Sequence, residues 1–305
     1  MSSAPRLVGP EIEPWLDWIA LTDAIARGHE LPRAEVADSF LYRGKDTLLT
    51  RSAWIDGLGL AVKPATIFPG NPARGAAMVN GVVNVLDDRD GTLRALVDFH
   101  LVTKWKTAGD SLLSARRLAR ADARRVLIVG AGHVAASMIE AYRALIPDAE
   151  IRIWNRTGTA AARLAERTGA QAVDDLEPAV RDAEIIATAT MSTQPVLRGE
   201  WLSPGTHVDL IGAYRPDMRE ADDELLSTAR LFVDSRATTL GHIGEIQIPL
   251  DQGAIGAADI LADFYDLPAG AYARRSDDEI TVAKNGGGAH LDLMTASYIL
   301  SVAES

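Results

Sequence analysis

The stretch Arg125-Val-Leu-Ile-Val-Gly-Ala-Gly-His-Val-Ala135 decides the fold. A short β-branched run stops at Gly130-Ala-Gly132, and apolar residues then recur at helical spacing from His133 to Leu145, just before Pro147. A run of this kind halted by glycine reads as a buried parallel strand. A G-x-G-x-x-A turn between such a strand and a helix reads as a dinucleotide loop. The first glycine permits the tight turn. The second lets the backbone approach a pyrophosphate, which then faces the unpaired N–H groups of the helix start.

Downstream, the pattern repeats. Glu150–Trp154 reads as a strand, Thr159–Thr168 as a helix stopped by Gly169, and Ala183–Thr190 and Thr206–Ile211 as strands. Asp222–Ala229 reads as a helix and Leu231–Asp234 as a further strand. Alternation at this spacing predicts a doubly wound, Rossmann-type parallel sheet with helices on both faces. The end of its second strand bears on the cofactor. Sites for NAD usually carry an Asp or Glu there for the ribose 2′-OH. This chain has Asn155-Arg156-Thr157, with no carboxylate and a guanidinium able to fork onto a 2′-phosphate. NADPH is therefore expected, with NADH as the alternative.

Upstream, the rhythm changes. Thr47–Arg51, Gly59–Lys63, Ala76–Leu86 and Thr92–Val97 are strand-like pieces separated by Gly, Pro, Asn and Asp, with Asp87-Asp-Arg-Asp-Gly91 as a hairpin turn. A helix over Glu13–Ala26 precedes them and another over Leu101–Ala119 leads into the parallel sheet. The fold class is α/β, with a mostly antiparallel α+β domain over 1–120 and the nucleotide domain over 121–285. A last helix within 286–305 returns to the first domain.

Composition narrows the partners. The 305 residues are 47% hydrophobic and 24% charged, an ordinary globular balance. The net charge of −11 gives no general attraction for nucleic acid or anionic lipid. Cysteine is absent, which excludes disulfides, a thiolate nucleophile and thiolate-bound metal. No apolar run reaches the roughly 18 residues of a membrane span, and the first residues lack the pattern of a signal peptide. A cytoplasmic protein is expected. The six histidines show no metal-binding spacing, so no metal site is expected.

Basic residues recur in the first domain: Arg33 in Leu-Pro-Arg, Lys63 in an apolar strand before Pro64, and Lys106 in Lys-Trp-Lys-Thr. Lysine in apolar surroundings calls for an anionic partner. With these residues the chain resembles the ornithine cyclodeaminase/mu-crystallin family over nearly its whole length. The motifs are Val-Lys63 followed by Phe68-Pro-Gly-Asn71, Lys106-Thr-Ala-Gly-Asp-Ser111, Gly130-Ala-Gly132, Ile153–Thr157, Gly199-Glu-Trp201 with Pro204-Gly205, Ile211–Glu220, Phe232–Ser235, and Lys284–Ala289 with Asp292.

The resemblance implies a dimer formed through the first domain. It also implies a carboxylate clamp matching Arg33, Lys63 and Lys106. The cofactor residues expected are Thr107, Gly130, Ala131, Gly132, His133, Val134, Asn155, Arg156, Thr157, Thr190, Met191 and Asn285. Asp110 and Asp292 are candidates for holding the basic cluster.

Departures from the family pattern separate its reactions. Cyclodeaminases have an aspartate as acid/base where this chain has Tyr214, and an acidic residue where Asn155-Arg156 stands. Lys106 replaces the usual arginine, Thr50-Arg51 stands where many members have Met-Pro, and Asn285 replaces a serine. The expected activity is NADPH-dependent reduction of a cyclic ketimine carboxylate, Δ1-pyrroline-2-carboxylate or Δ1-piperideine-2-carboxylate, with water or Tyr214 as proton donor. The alternatives are a cyclodeaminase, an alanine-dehydrogenase-like enzyme and a non-catalytic binding protein of mu-crystallin type.

Overall fold

The computed structural model describes residues 4–305. The chain divides into two compact units, Met1–Lys106 with Gly288–Ser305, and Thr107–Gly287. The division falls inside a helix, where the sequence reading placed it after residue 120.

The first unit holds β1 (Arg6–Val8), α1 (Trp18–Gly28), β2 (Glu35–Arg43), β3 (Asp46–Ile55), β4 (Gly59–Ile67), β5 (Val79–Leu86) and β6 (Leu93–Asp98). It also holds the start of α2 (Phe99–Leu118) and the closing helix α9 (Ala289–Glu304). The sheet order is β1-β6-β5-β4-β3-β2, antiparallel throughout except for the parallel pair β1–β6. Helix α9 packs on β3, β4 and β5 and against α1. Buried Leu21, Ile25, Ile55, Val83, Val97 and Ile299 lie in this unit, each burial contributing about 1.5–3 kcal/mol.

Several readings of this unit change, among them β4, which runs on to Ile67 past the expected Lys63, and β1, which was not foreseen. The helix expected over Glu13–Ala26 is a 3-10 turn, Pro10–Trp15, followed by α1. Pro14 lacks the N–H needed to continue a helix, and Asp17 restarts it by accepting from the Ala20 N–H. β2 was not foreseen, because all nine of its residues are exposed and it shows no buried alternation. β3 continues to Ile55, beyond the expected Arg51, because it pairs with both β2 and β4 along its length.

The second unit holds β7 (Arg125–Val129), α3 (His133–Leu145), β8 (Glu150–Trp154), α4 (Gly158–Thr168), β9 (Gln171–Ala172), α5 (Leu176–Asp182), β10 (Ile185–Thr188) and β11 (His207–Leu210). It continues through α6 (Asp223–Thr228), β12 (Arg230–Val233), α7 (Arg236–Thr239), α8 (Gly244–Gln252), β13 (Ile260–Ala262) and β14 (Thr281–Lys284). The eight strands run parallel in the order β13-β12-β14-β11-β10-β7-β8-β9. This is the doubly wound sheet expected. Leu127, Val129, Ile186, Val208, Leu210, Leu231 and Val282 belong to its core. β8 lies on one side of β7 and β10 on the other, so the order reverses at the carboxyl end of β7, the place where such sheets bind ligands. β13 and β14 were not foreseen, being only three and four residues long.

Candidate functional site

At the end of β7 the backbone turns through Gly130 with φ 127°. A Cβ there would lie 2.6 Å from the Ala189 carbonyl, so the turn excludes a side chain. Gly132 differs, since a Cβ on it would meet nothing within 4 Å. The protein's own packing does not demand this glycine, and the space above it is open to a ligand. Gly132 also begins α3 with no side-chain cap, leaving the first N–H groups free for an anion. His133 and Val134 form that first turn.

A cavity of about 270 Å³ opens beside the loop, lined by Ala131, Gly132, Trp154–Thr157, Ala189–Ser192 and Val196. Most of the residues read from sequence as cofactor contacts meet here. Arg156 is exposed at its edge and pairs with no carboxylate among the described residues. Asn155 is half-buried, its Nδ2 donating to the Thr157 carbonyl. Met191 is exposed and Thr190 half-buried. The open Cβ direction and the uncapped helix start fit a dinucleotide pyrophosphate.

Thr107 does not line this cavity and is half-buried in α2. Asn285 does not line it either; it follows β14, and its Nδ2 donates to Asp110 (2.8 Å). The Asn285 Oδ1 is buried with no hydrogen-bond partner among the described residues. Asp110, read from sequence as a brace for the basic cluster, thus orients Asn285 instead. Asp234 pins the following loop by accepting from the Gly286 and Gly287 N–H groups. Burial pushes its carboxyl up against those bonds.

In the first unit, Lys63 is buried on β4. Its Nζ donates to Asp292 on α9 (2.8 Å) and to Thr103 on α2 (2.9 Å), and lies 4.6 Å from the centre of the Phe99 ring. Burial lowers the Lys63 pKa; Asp292 opposes the shift, whereas the Lys106 and Arg51 charges add to it. Burial raises the Asp292 carboxyl, but Lys63 and Lys106 outweigh this and hold it below the usual range. His290 is driven down to about 3, first by burial and then by His29 and Lys106, so its ring is neutral at physiological pH.

Arg51 stands directly opposite Lys63 across the β3–β4 ladder, and so on the same face of the sheet. It pairs with Asp38 at 2.9 Å. Lys106 pairs with no carboxylate among the described residues. Three cations therefore share two carboxylates, Asp292 and Asp38, and one positive charge is left over. The structure brings together Lys63 and Lys106 of the expected clamp. Arg33 is exposed in the bend before β2, and the arginine whose charge acts on Lys63 is Arg51. The sequence signal for Arg51 was its departure from Met-Pro; its pairing register was not legible.

Tyr214 follows β11 and is 58% exposed, with the Arg215 guanidinium 5.6 Å from its ring centre. The neighbouring Asp217 is exposed and bound to Arg215 at 2.8 Å. No carboxylate occupies the Tyr214 position.

Comparison with known proteins gives concordant results. The profile of the ornithine cyclodeaminase/mu-crystallin family matches residues 53–305. A Δ1-pyrroline-2-carboxylate reductase of Paracoccus denitrificans is 52% identical, over 99% of this chain and 98% of that protein. The Δ1-pyrroline-2-carboxylate reductase of Thermococcus litoralis, solved with NADH and L-proline, superposes with a TM-score of 0.87 at 25% identity, covering 98% of this chain and 97% of that one. An archaeal alanine dehydrogenase dimer with bound NAD gives 0.87 at 27% identity, covering 98% and 96%.

Proposed function

The chain belongs to the ornithine cyclodeaminase/mu-crystallin family, and from that premise we propose that it reduces a cyclic ketimine carboxylate with NADPH. It is an NAD(P)H-dependent oxidoreductase acting on C=N bonds. The proposed substrate is Δ1-pyrroline-2-carboxylate or its six-membered homologue, giving proline or pipecolate. The observation that carries this reading is the surplus positive charge around Lys63, which one substrate carboxylate would balance.

When bound, the reduced nicotinamide supplies a hydride to the imine carbon. The chain's own residues do the rest. Lys63, Lys106 and Arg51 draw the carboxylate to a fixed place, and cations held before substrate arrives need little rearrangement during reaction. Asp292 aims Lys63 and opposes the loss of its charge on burial. The glycine loop and the start of α3 would hold the pyrophosphate of a bound dinucleotide, and Arg156 would take a 2′-phosphate. The imine nitrogen is protonated by water or by Tyr214 before hydride arrives, so no ionised general base is needed. With Tyr214 in place of an aspartate, no carboxylate base stands at this position, which disfavours the cyclodeaminase route.

The same reading supports a homodimer. Val36, Phe40, Leu41 and Tyr42 on β2, with Leu48 and Trp54 on β3, leave apolar side chains exposed on the edge hairpin, and uncovered strand edges favour association. Sedimentation is expected at about twice 32.7 kDa.

The experiment is to follow NADPH oxidation with Δ1-pyrroline-2-carboxylate, and ammonia release from ornithine with catalytic NAD. Stoichiometric NADPH consumption with no ammonia is expected, faster at mildly acidic pH where more imine is protonated. Ammonia release from ornithine at a rate comparable to imine reduction would sink the assignment.

A further inference from the structure

Glu220 is fully buried and does not line the nucleotide cavity, yet one wall of that cavity hangs on it. Its Oε1 accepts from the Thr190 N–H (2.8 Å) and the Thr190 hydroxyl (2.6 Å). Its Oε2 accepts from the Thr188 hydroxyl (2.6 Å) and the Gly212 N–H (2.7 Å). Its carbonyl accepts from the N–H groups of Val196 and Leu197. One residue thus ties the end of β10, the end of β11 and the loop between them.

The surroundings leave this arrangement little freedom. A side chain at Gly212 would collide with the Thr190 backbone, so the two strand ends are pressed together. The N–H groups of Glu220 and Ala221 donate to Glu245, which fixes Glu220 from behind. The nearby Lys284 ammonium is spent on the carbonyls of Leu210 and Ala213. The segment after Thr188 belongs to no helix and no strand ladder until the isolated bridge at Leu197, so side-chain bonds largely set its path.

In a doubly wound fold the adenosine ribose sits at the end of the second strand and the pyrophosphate at the end of the first. Here those are β8 and β7. The wall formed by Ala189–Ser192 lies on the other side of β7, at the end of β10. It flanks whatever continues past the pyrophosphate.

We propose that Glu220 is a positioning residue for the nicotinamide half of the dinucleotide, holding the wall after β10 in its binding shape. The inference rests on the nucleotide reading given above. In Glu220→Gln the amide keeps the shape but turns an N–H donor toward donors. In Thr188→Val the hydroxyl bond to Oε2 is lost, with a longer one to the Asp209 carbonyl (3.4 Å), at a residue outside the cavity.

The test is calorimetric titration of the full chain and both variants with the dinucleotide that wild type binds more tightly, NADPH or NADH. Each is also titrated with the matching fragment that stops at the pyrophosphate, 2′-phospho-ADP or ADP. Glu220→Gln is expected to weaken dinucleotide binding about tenfold or more, and Thr188→Val about threefold. Fragment affinity should stay within about twofold, because the fragment ends before the wall. Thr188→Val keeps the question open to experiment should Glu220→Gln fail to fold. Dinucleotide affinity unchanged in both variants, or fragment and dinucleotide weakened by the same factor, would overturn the proposal. Wild type binding neither dinucleotide would remove the nucleotide reading, and the proposal with it.

Discussion

The Lys63 ammonium and the Asp292 carboxylate lie 2.8 Å apart with side chains 8% and 1% exposed, though 229 positions separate them in the chain. Breaking one member of such a pair strands a buried charge and costs about 3–5 kcal/mol, whereas replacing both with apolar groups is far milder. Lys63→Met should therefore lower the melting temperature, and the Lys63→Met/Asp292→Leu double variant should recover much of it. Neither should recover turnover. A loss in kcat/KM of about a thousandfold or more is expected for both, with nucleotide affinity near wild type. A double variant that regains activity along with stability would show that Lys63 serves the fold alone.

Arg51 offers a prediction of opposite sign for fold and function. Like charges directly opposite on neighbouring strands destabilise a sheet by up to about 1 kcal/mol. Its pair with Asp38 is about one-third exposed on both sides, and such a pair offsets little of that. Arg51→Met should leave the melting temperature unchanged or slightly higher, while KM for the ketimine rises about tenfold. An unchanged KM would take Arg51 out of the carboxylate site and return that place to Arg33.

At the end of β8, Arg156 pairs with no carboxylate among the described residues. Arg156→Asp should invert the cofactor preference, lowering the NADPH/NADH ratio of kcat/KM by about ten- to a hundredfold. Steady-state rates with both cofactors decide this. A ratio that does not move means that Arg156 never touches the 2′-phosphate.

Glu245 is fully buried behind Glu220, and burial, reinforced by the Glu220 charge, pushes its carboxyl from 4.5 up to about 7. Its folded pKa lies above its unfolded one. The stability tied to its proton is therefore fully present below pH 4.5 and is lost as pH rises through about 7. The window spans on the order of 3 kcal/mol. Glu245→Gln removes the ionisation but turns its amide nitrogen toward one of the two backbone N–H donors. It should melt below wild type at about pH 5 and close the gap steadily toward about pH 8. Parallel melting curves across that range would show that Glu245 is ionised throughout.

The nucleotide half was legible because its signals are local. Val126–Val129, Gly130-Ala-Gly132 and the start of α3 are contiguous, and their meaning lies in side-chain period and in glycine's backbone freedom. Asn155-Arg156-Thr157 follows directly on its strand. Tertiary packing only had to bring the ends of β7, β8 and β10 together, which a parallel sheet does by construction. The wall after β10 escaped, because Glu220 reads as one more charged residue in a loop until the fold buries it.

The cation cluster divides differently. Sequence supplied Lys63 and Lys106 by type and context. It could not supply Arg51, which faces Lys63 only because β3 and β4 pair in one register; a slip of one residue would turn Arg51 to the opposite face. Nor could it choose between Asp110 and Asp292 as the partner of Lys63, since each is an acidic residue in a helix. α9 carries Asp292 back onto the sheet of the first unit, while Asp110 turns to Asn285 in the second. Local sequence thus marked the alternating strands and helices of the parallel sheet and the glycine turn after β7. Only the tertiary structure decided which charges meet, because a charge chooses its partner through space and not along the chain.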